Sequence, residues 1–159
     1  MNIDIVCVGT LKERYWKDAC GEYAKRLGKY CTLAIREVKE AHTPDSPSPA
    51  EALQAKDSEG KAIAKKIKRG SYVVALDVKG RRFSSEGLAE KMQALQLGGA
   101  SSICFVIGGS AGLSEEVIGS ADLRLSFSDM TFPHQMMRVF LLEQVYRSFK
   151  IIKNETYHK

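Results

Sequence analysis

From Tyr72 onward the chain alternates short apolar runs with helix-patterned segments, and no other feature narrows its fold as much. The pattern predicts a strand over Tyr72 to Asp77, a turn at Gly80, a helix over about Ser85 to Leu95 and a strand over Ser102 to Ile107. A helix over about Ser114 to Gly119 and a strand over Leu123 to Phe127 follow. Strands and helices that alternate in this way imply an α/β architecture with a mostly parallel sheet covered on both faces by helices. The first half fits the same scheme. Ile3 to Val8 reads as a buried strand ending at Gly9-Thr10, followed by a helix near Glu13 to Leu27 and a strand over Thr32 to Val38. Tyr15, Trp16, Ala19, Tyr23 and Leu27 recur at three-to-four spacing and read as a core-facing stripe in preference to a nucleotide-stacking one.

Pro44, Pro47 and Pro49, with Ser46 and Ser48, interrupt both periodicities and mark a loop. Helical pattern returns from Ala50 to about Lys68, and its end is basic through Lys61, Lys65, Lys66, Lys68 and Arg69. Dipole compensation and solubility explain that cluster as well as RNA binding does. The last long helix is expected from about Pro133 to Ile151, with Thr131 as N-cap and the proline in the first turn.

A length of 159 residues suits one domain with its own core. Neither a secretory leader nor a long apolar run is present, so a cytoplasmic location is expected and a membrane partner is not. Cys7, Cys20, Cys31 and Cys104 form no CxxC pair and read as reduced thiols, two of them within strands. His42, His134 and His158 lie far from them in sequence, so no metal is expected. The net charge of +5 suits a polyanionic partner, although the signal alone is weak.

In parallel α/β sheets ligands bind beyond the carboxyl ends of the strands, which directs attention to three loops. They are Leu76-Asp77-Val78-Lys79-Gly80, Gly108-Gly109-Ser110-Ala111-Gly112-Leu113, and Ser126 through His134. The glycine loop would allow close backbone approach to a ligand, but it lacks the endings of a P-loop or a dinucleotide fingerprint and is equally a tight turn. Phe127, Met130 and Phe132 among small polar residues suit a flat heteroaromatic ring, and an ordinary helix-capping segment would look similar.

These same segments carry a resemblance. Leu76-Asp77-Val78-Lys79-Gly80 with Ser84-Ser85-Glu86, Phe105 through Gly109 with Gly112-Leu113, and Thr131-Phe132-Pro133-His134-Gln135 resemble the RlmH family of SPOUT-class methyltransferases. The likeness continues through Arg138, Leu141-Leu142-Glu143-Gln144, Tyr146-Arg147 and the terminal Tyr157-His158-Lys159, spanning effectively the whole chain. It implies a single SPOUT domain over residues 1–159, with a C-terminal deep trefoil knot and the cofactor site formed by about residues 72–159. It also implies an S-adenosyl-L-methionine-dependent enzyme that methylates N3 of a pseudouridine in a stem-loop of 23S rRNA, on the assembled ribosome. The family is homodimeric, with each active site drawing on both chains. By position, the cofactor contacts fall on Leu76, Gly108, Phe127, Ser128, Asp129, Met130, Thr131 and Phe132.

Transfer to N3 requires alignment of the reactants and removal of a proton. The candidates are His158 as proton acceptor or RNA contact, Tyr157 as positioning group, and Arg138 and His134, which share one face of the last helix. Arg138 could stabilise charge on a carbonyl, hold a phosphate, or form structural hydrogen bonds, and His134 could serve helix entry as readily as catalysis. The chain departs from the family near its tail, with Asn154 and Thr156 where glycine and proline are common, and Asn154 can still make a left-handed turn. Gly87 is expected to weaken its helix by about 1 kcal/mol relative to alanine. Two other readings compete: a non-enzymatic ribosome-binding module on the same fold, which would bind no methyl donor, and a nucleotide-dependent oxidoreductase, which the absent fingerprint disfavours.

Overall fold

In the computed structural model, which describes residues 1–157, five strands form one parallel sheet in the order β2-β1-β4-β3-β5. The chain runs β1 (Asn2–Val8), α1 (Arg14–Leu27), β2 (Thr32–Val38), α2 (Pro49–Ala64), β3 (Tyr72–Arg82) and α3 (Ser85–Leu97). It continues through β4 (Ser102–Ile107), α4 (Glu115–Ser120), β5 (Leu123–Ser126) and α5 (His134–Ile152).

Period-two alternation sends side chains of the central strands to opposite faces. Ile3, Ile5, Cys7, Ile103 and Phe105 join Cys20 and Leu27 of α1, Leu88 and Met92 of α3, and Leu141, Leu142 and Phe149 of α5. Val6, Val8, Cys104 and Val106 join Ile63 of α2 and Val117 of α4 on the other face. Burial on both sides explains why β1 from Ile5 to Val8 and β4 from Ile103 to Ile107 read as apolar runs. Truncating a residue such as Phe105 at this centre would cost about 3–5 kcal/mol. The same burial pushes the Cys7 thiol up to about 11 and Cys104 to about 12, so both stay protonated at neutral pH. All four cysteines are free.

Helix starts follow local chemistry. Ser48 and Glu51 form a reciprocal capping box with Pro49 in the first turn of α2, and Ser84 and Ser114 cap α3 and α4 by accepting from Gly87 N and Val117 N. The expected Thr131 cap is not formed: α5 begins at His134, with Pro133 in the capping position and no side-chain cap. The helix of the Ala50 segment ends at Ala64, short of the basic cluster's last members, and Lys68 lies beyond it. In α1 the stripe includes Cys20 and Leu27, whereas Tyr15 is 61% exposed and lies off the core face.

The expected turn at Gly80 is instead a bulge within β3. Leu76 and Arg81 both stand opposite Leu125 of β5, so the intervening residues are extruded and pairing then resumes to Arg82. A Cβ on Gly80 would stand 2.7 Å from the Arg124 carbonyl carbon, which leaves no room for any other residue. The bulge raises Asp77 beside the strand end, where it accepts from the Arg124 guanidinium at 2.5 and 2.9 Å. Asn154 takes φ of 53°, making the left-handed turn after α5 without glycine.

Candidate active site

Because all five strands are parallel, their carboxyl ends share one edge, and there the three loops singled out in the sequence enclose a cavity of about 660 Å³. The β3 end supplies Leu76, Asp77 and Val78, the β4 end Ile107 to Ser110 with Gly112 and Leu113, and the segment after β5 supplies Phe127, Ser128, Met130, Thr131 and Phe132. Leu125 of β5, Pro133, and His134 and Met137 of α5 complete the lining.

The glycine loop is both a tight turn and a cavity wall. Gly112 adopts φ of +83°, and its N–H donates to Gly109 O at 3.0 Å. A Cβ on Gly108 would stand 2.7 Å from the Gly112 carbonyl carbon, so the loop closes only around a bare Cα. Leu113 and Val117 anchor its far end in the core, while Ser114 starts α4.

Of the residues assigned to the cofactor by resemblance, Leu76, Gly108, Phe127, Ser128, Met130, Thr131 and Phe132 line this cavity. Asp129 does not; its carboxylate is turned to an ion pair with Arg82. Phe132 packs edge-on against Phe140 of α5, with centroids 5.3 Å apart, fixing one side of the mouth.

The catalytic candidates are distributed more widely. His134 lines the cavity, and its Nε2 lies 3.1 Å from where a Cβ on Gly9 would stand. Gly9 has φ of +81°, so both backbone and space at the end of β1 require glycine. Arg138, one turn along α5, is 2% exposed; it donates to Glu37 Oε1 at 2.6 Å and to Gly9 O at 3.1 Å, and its Nε has no partner. Its guanidinium thus ties α5 to the ends of β1 and β2 behind His134. Tyr157, beyond the end of α5, packs back against that helix, donating to Glu143 Oε1 at 3.3 Å, edge-on to Tyr146, and under the Arg147 guanidinium at 4.7 Å. Burial pushes its phenol up to about 12, so it is a hydrogen-bond donor rather than a base at neutral pH. His158 lies outside the described residues.

A family model described as "Predicted SPOUT methyltransferase" matches residues 1–158. The chain belongs to the SPOUT methyltransferase family. Within that family it is 54% identical to ribosomal RNA large subunit methyltransferase H 1 of Clostridium perfringens and 55% identical to ribosomal RNA large subunit methyltransferase H of Clostridioides difficile. Each alignment covers 100% of both chains, so this SPOUT methyltransferase falls in the RlmH branch. A solved probable methylase family protein from Haemophilus influenzae superposes with a TM-score of 0.56 at 17% identity, over 99% of this chain and 70% of that one, and shares the fold.

Three neighbours of this SPOUT cavity were not assigned from sequence. Asp77 and Ser110 stand in loops already marked, and only the β3 bulge and the turn at Gly109 to Gly112 bring them to the lining. Glu59 carries no local signal at all, since it sits in a helix whose pattern reads as half solvated; it is 5% exposed and accepts from Ala41 N at 2.9 Å. Among the described residues no group of three or more His, Cys, Asp or Glu side chains is placed to hold a metal ion, and no helix is long and apolar enough to cross a membrane.

Proposed function

We propose that this chain is an S-adenosyl-L-methionine-dependent ribosomal RNA methyltransferase acting on N3 of a pseudouridine in a stem-loop of 23S rRNA, on the assembled ribosome in the cytoplasm. The observation that carries the reading is the cavity itself. It lies where parallel sheets bind ligands, it is of a size that holds a nucleoside-sized molecule, and its walls join apolar side chains to bare backbone. Phe127, Met130 and Phe132 suit an adenine ring, and the Gly108 turn is a cradle that any Cβ would fill.

When bound there, the cofactor supplies an already activated methyl group, so the protein's part is alignment and proton management. The glycine loop and the Phe127 to Phe132 segment fix the donor from two sides. His134, at the cavity wall, and His158 are the two candidates to take the N3 proton. In this reading Arg138 is a positioning residue: its bonds to Glu37 and Gly9 O hold the first turn of α5, and with it His134, against the end of β1. The net charge of +5 favours approach of the polyanionic substrate.

The reading includes a homodimer and a deep trefoil knot within about residues 72–159. Tyr157 rests beside Glu143, nine residues along α5 from the cavity-lining His134, or roughly 14 Å at helical rise. That separation supports a tail that serves the cavity of a second protomer. Placement of β3 between β4 and β5, with α5 returning to pack on α1 and α3, is compatible with a threaded C-terminal segment.

Mass mapping of 23S rRNA from cells lacking the protein, followed by incubation of those ribosomes with purified protein and labelled S-adenosylmethionine, tests the reading. One pseudouridine should lose a methyl group in the cells and regain it in vitro. Unaltered rRNA, or no incorporation, would favour the binding-module alternative.

A further inference from the structure

A second chamber, of about 360 Å³, adjoins the cofactor cavity, and Ser110 lines both. Its other walls come from the proline-rich connection between β2 and α2, including Thr43 and Asp45, and from Ala55 and Glu59 of α2. Glu59 is 5% exposed, and only one of its carboxylate oxygens is occupied. Oε1 accepts from Ala41 N at 2.9 Å, while Oε2 is buried with no partner and lies 3.1 Å from where a Cβ on Gly109 would stand. A buried carboxylate oxygen without a donor is costly, and one retained beside a binding cavity calls for a ligand that brings the donor.

We propose that this chamber is an amino-group subsite, in which Glu59 accepts hydrogen bonds from the N–H donors of a ligand reaching past Ser110. The inference rests on the preceding reading that the larger cavity holds the methyl donor and admits rRNA. Charge decides the ligand class: Glu59 and Asp45 both line the chamber, so an anion would be repelled and an ammonium or amino group attracted. Burial raises the Glu59 carboxyl above its ordinary range, with the Ala41 N–H opposing that rise and Glu40 adding to it, so a donor arriving there meets a group short of stabilisation. Two sources carry this chemistry. One is the α-ammonium of the methyl donor; the other is the exocyclic amino group of a nucleobase next to the target, which a carboxylate recognises well.

Calorimetry with S-adenosylhomocysteine and with methylthioadenosine, which lacks the amino-acid tail, separates them in wild type and in Glu59→Gln. If the donor's ammonium occupies the chamber, the variant binds S-adenosylhomocysteine about tenfold more weakly, the loss of one charge-assisted hydrogen bond, and binds methylthioadenosine unchanged. If a nucleobase occupies it, both affinities hold and the KM for undermethylated ribosomes rises about tenfold, with kcat changed less than about twofold. Asp45→Asn, at an exposed position of the chamber's rim, should move the same quantity in the same direction by a smaller factor.

Equal weakening of both ligands would show that Glu59 merely props Gly109, and no change in affinity or KM would show a carboxylate served by water; either overturns the proposal. Should Glu59→Gln fail to fold, an unmoved Asp45→Asn overturns it alone. A wild-type protein that binds neither ligand would refute the reading of the larger cavity, an outcome distinct from these.

Discussion

The two ends of the sheet treat buried polar groups in opposite ways. Toward the amino ends, Asp4 is 1% exposed and fully partnered: Oδ1 meets Arg36 Nε at 3.1 Å, and Oδ2 meets Lys68 Nζ at 3.1 Å and Ser102 Oγ at 3.3 Å. At the carboxyl ends lie the buried side-chain atoms that have no partner among the described residues, Glu59 Oε2 and Arg138 Nε, together with Gly9 and Gly108, where an added Cβ would meet neighbouring atoms at 3.1 and 2.7 Å. A saturated ion cluster can only hold strands together, whereas unfinished hydrogen bonding and bare backbone leave chemistry for a ligand. If the carboxyl edge is the site of methyl transfer, substitutions at the two edges should separate stability from activity.

The largest expected effect is functional. Deleting residues 157–159 should abolish rRNA methylation while leaving S-adenosylmethionine affinity and dimer mass unchanged, measured by calorimetry and light scattering. Retained methylation would remove the tail from the site and confine function to the cavity edge of a single chain.

The next effect is on stability alone. Asp4→Ala should lower unfolding free energy by about 3 kcal/mol, toward the low end for a broken buried pair because Arg36 and Lys68 keep access to water. Methylation per folded molecule should be unaffected. Urea unfolding checks the first, and activity normalised to folded protein the second; a fall in specific activity would show that the two edges are coupled.

The smallest effect is a pH dependence. The folded-state carboxyl of Glu59 is raised above its ordinary value of 4.5, so its contribution to stability is full below that pH and is lost as pH rises through the folded value. Glu59→Gln removes this term. Its Tm relative to wild type should therefore increase from acid toward neutral pH, and a constant difference would show that Glu59 is not strained where it sits.

The contrast also explains what could be read from sequence. Strands such as Ile3 to Val8 and Ser102 to Ile107 announce themselves because double-sided burial makes them apolar on both faces save for Asp4 and Ser102, and their ends point to the cavity loops. Gly80 misleads because a glycine after an apolar run looks like a turn; its role in the β3 bulge depends on register against Leu125, forty-five positions away in sequence. Asp129 sits among cavity residues in sequence, yet pairing with Arg82 turns it aside. Arg138 could be placed on the same helix face as His134, but its partner Glu37 is 101 residues distant. Glu59 was invisible because nothing in the pattern of α2 distinguishes a buried carboxylate from a solvated one; only the packing of Gly109 and Ala41 does.

Whether the three loops at the carboxyl edge form the methyl-donor site is decided by calorimetric titration of wild type and Gly108→Ala with S-adenosylmethionine. Saturable heat is expected for the wild type and its loss in the variant, whose added Cβ would collide with Gly112, with circular dichroism showing a retained fold. Saturable binding of undiminished affinity in a folded Gly108→Ala protein would contradict it.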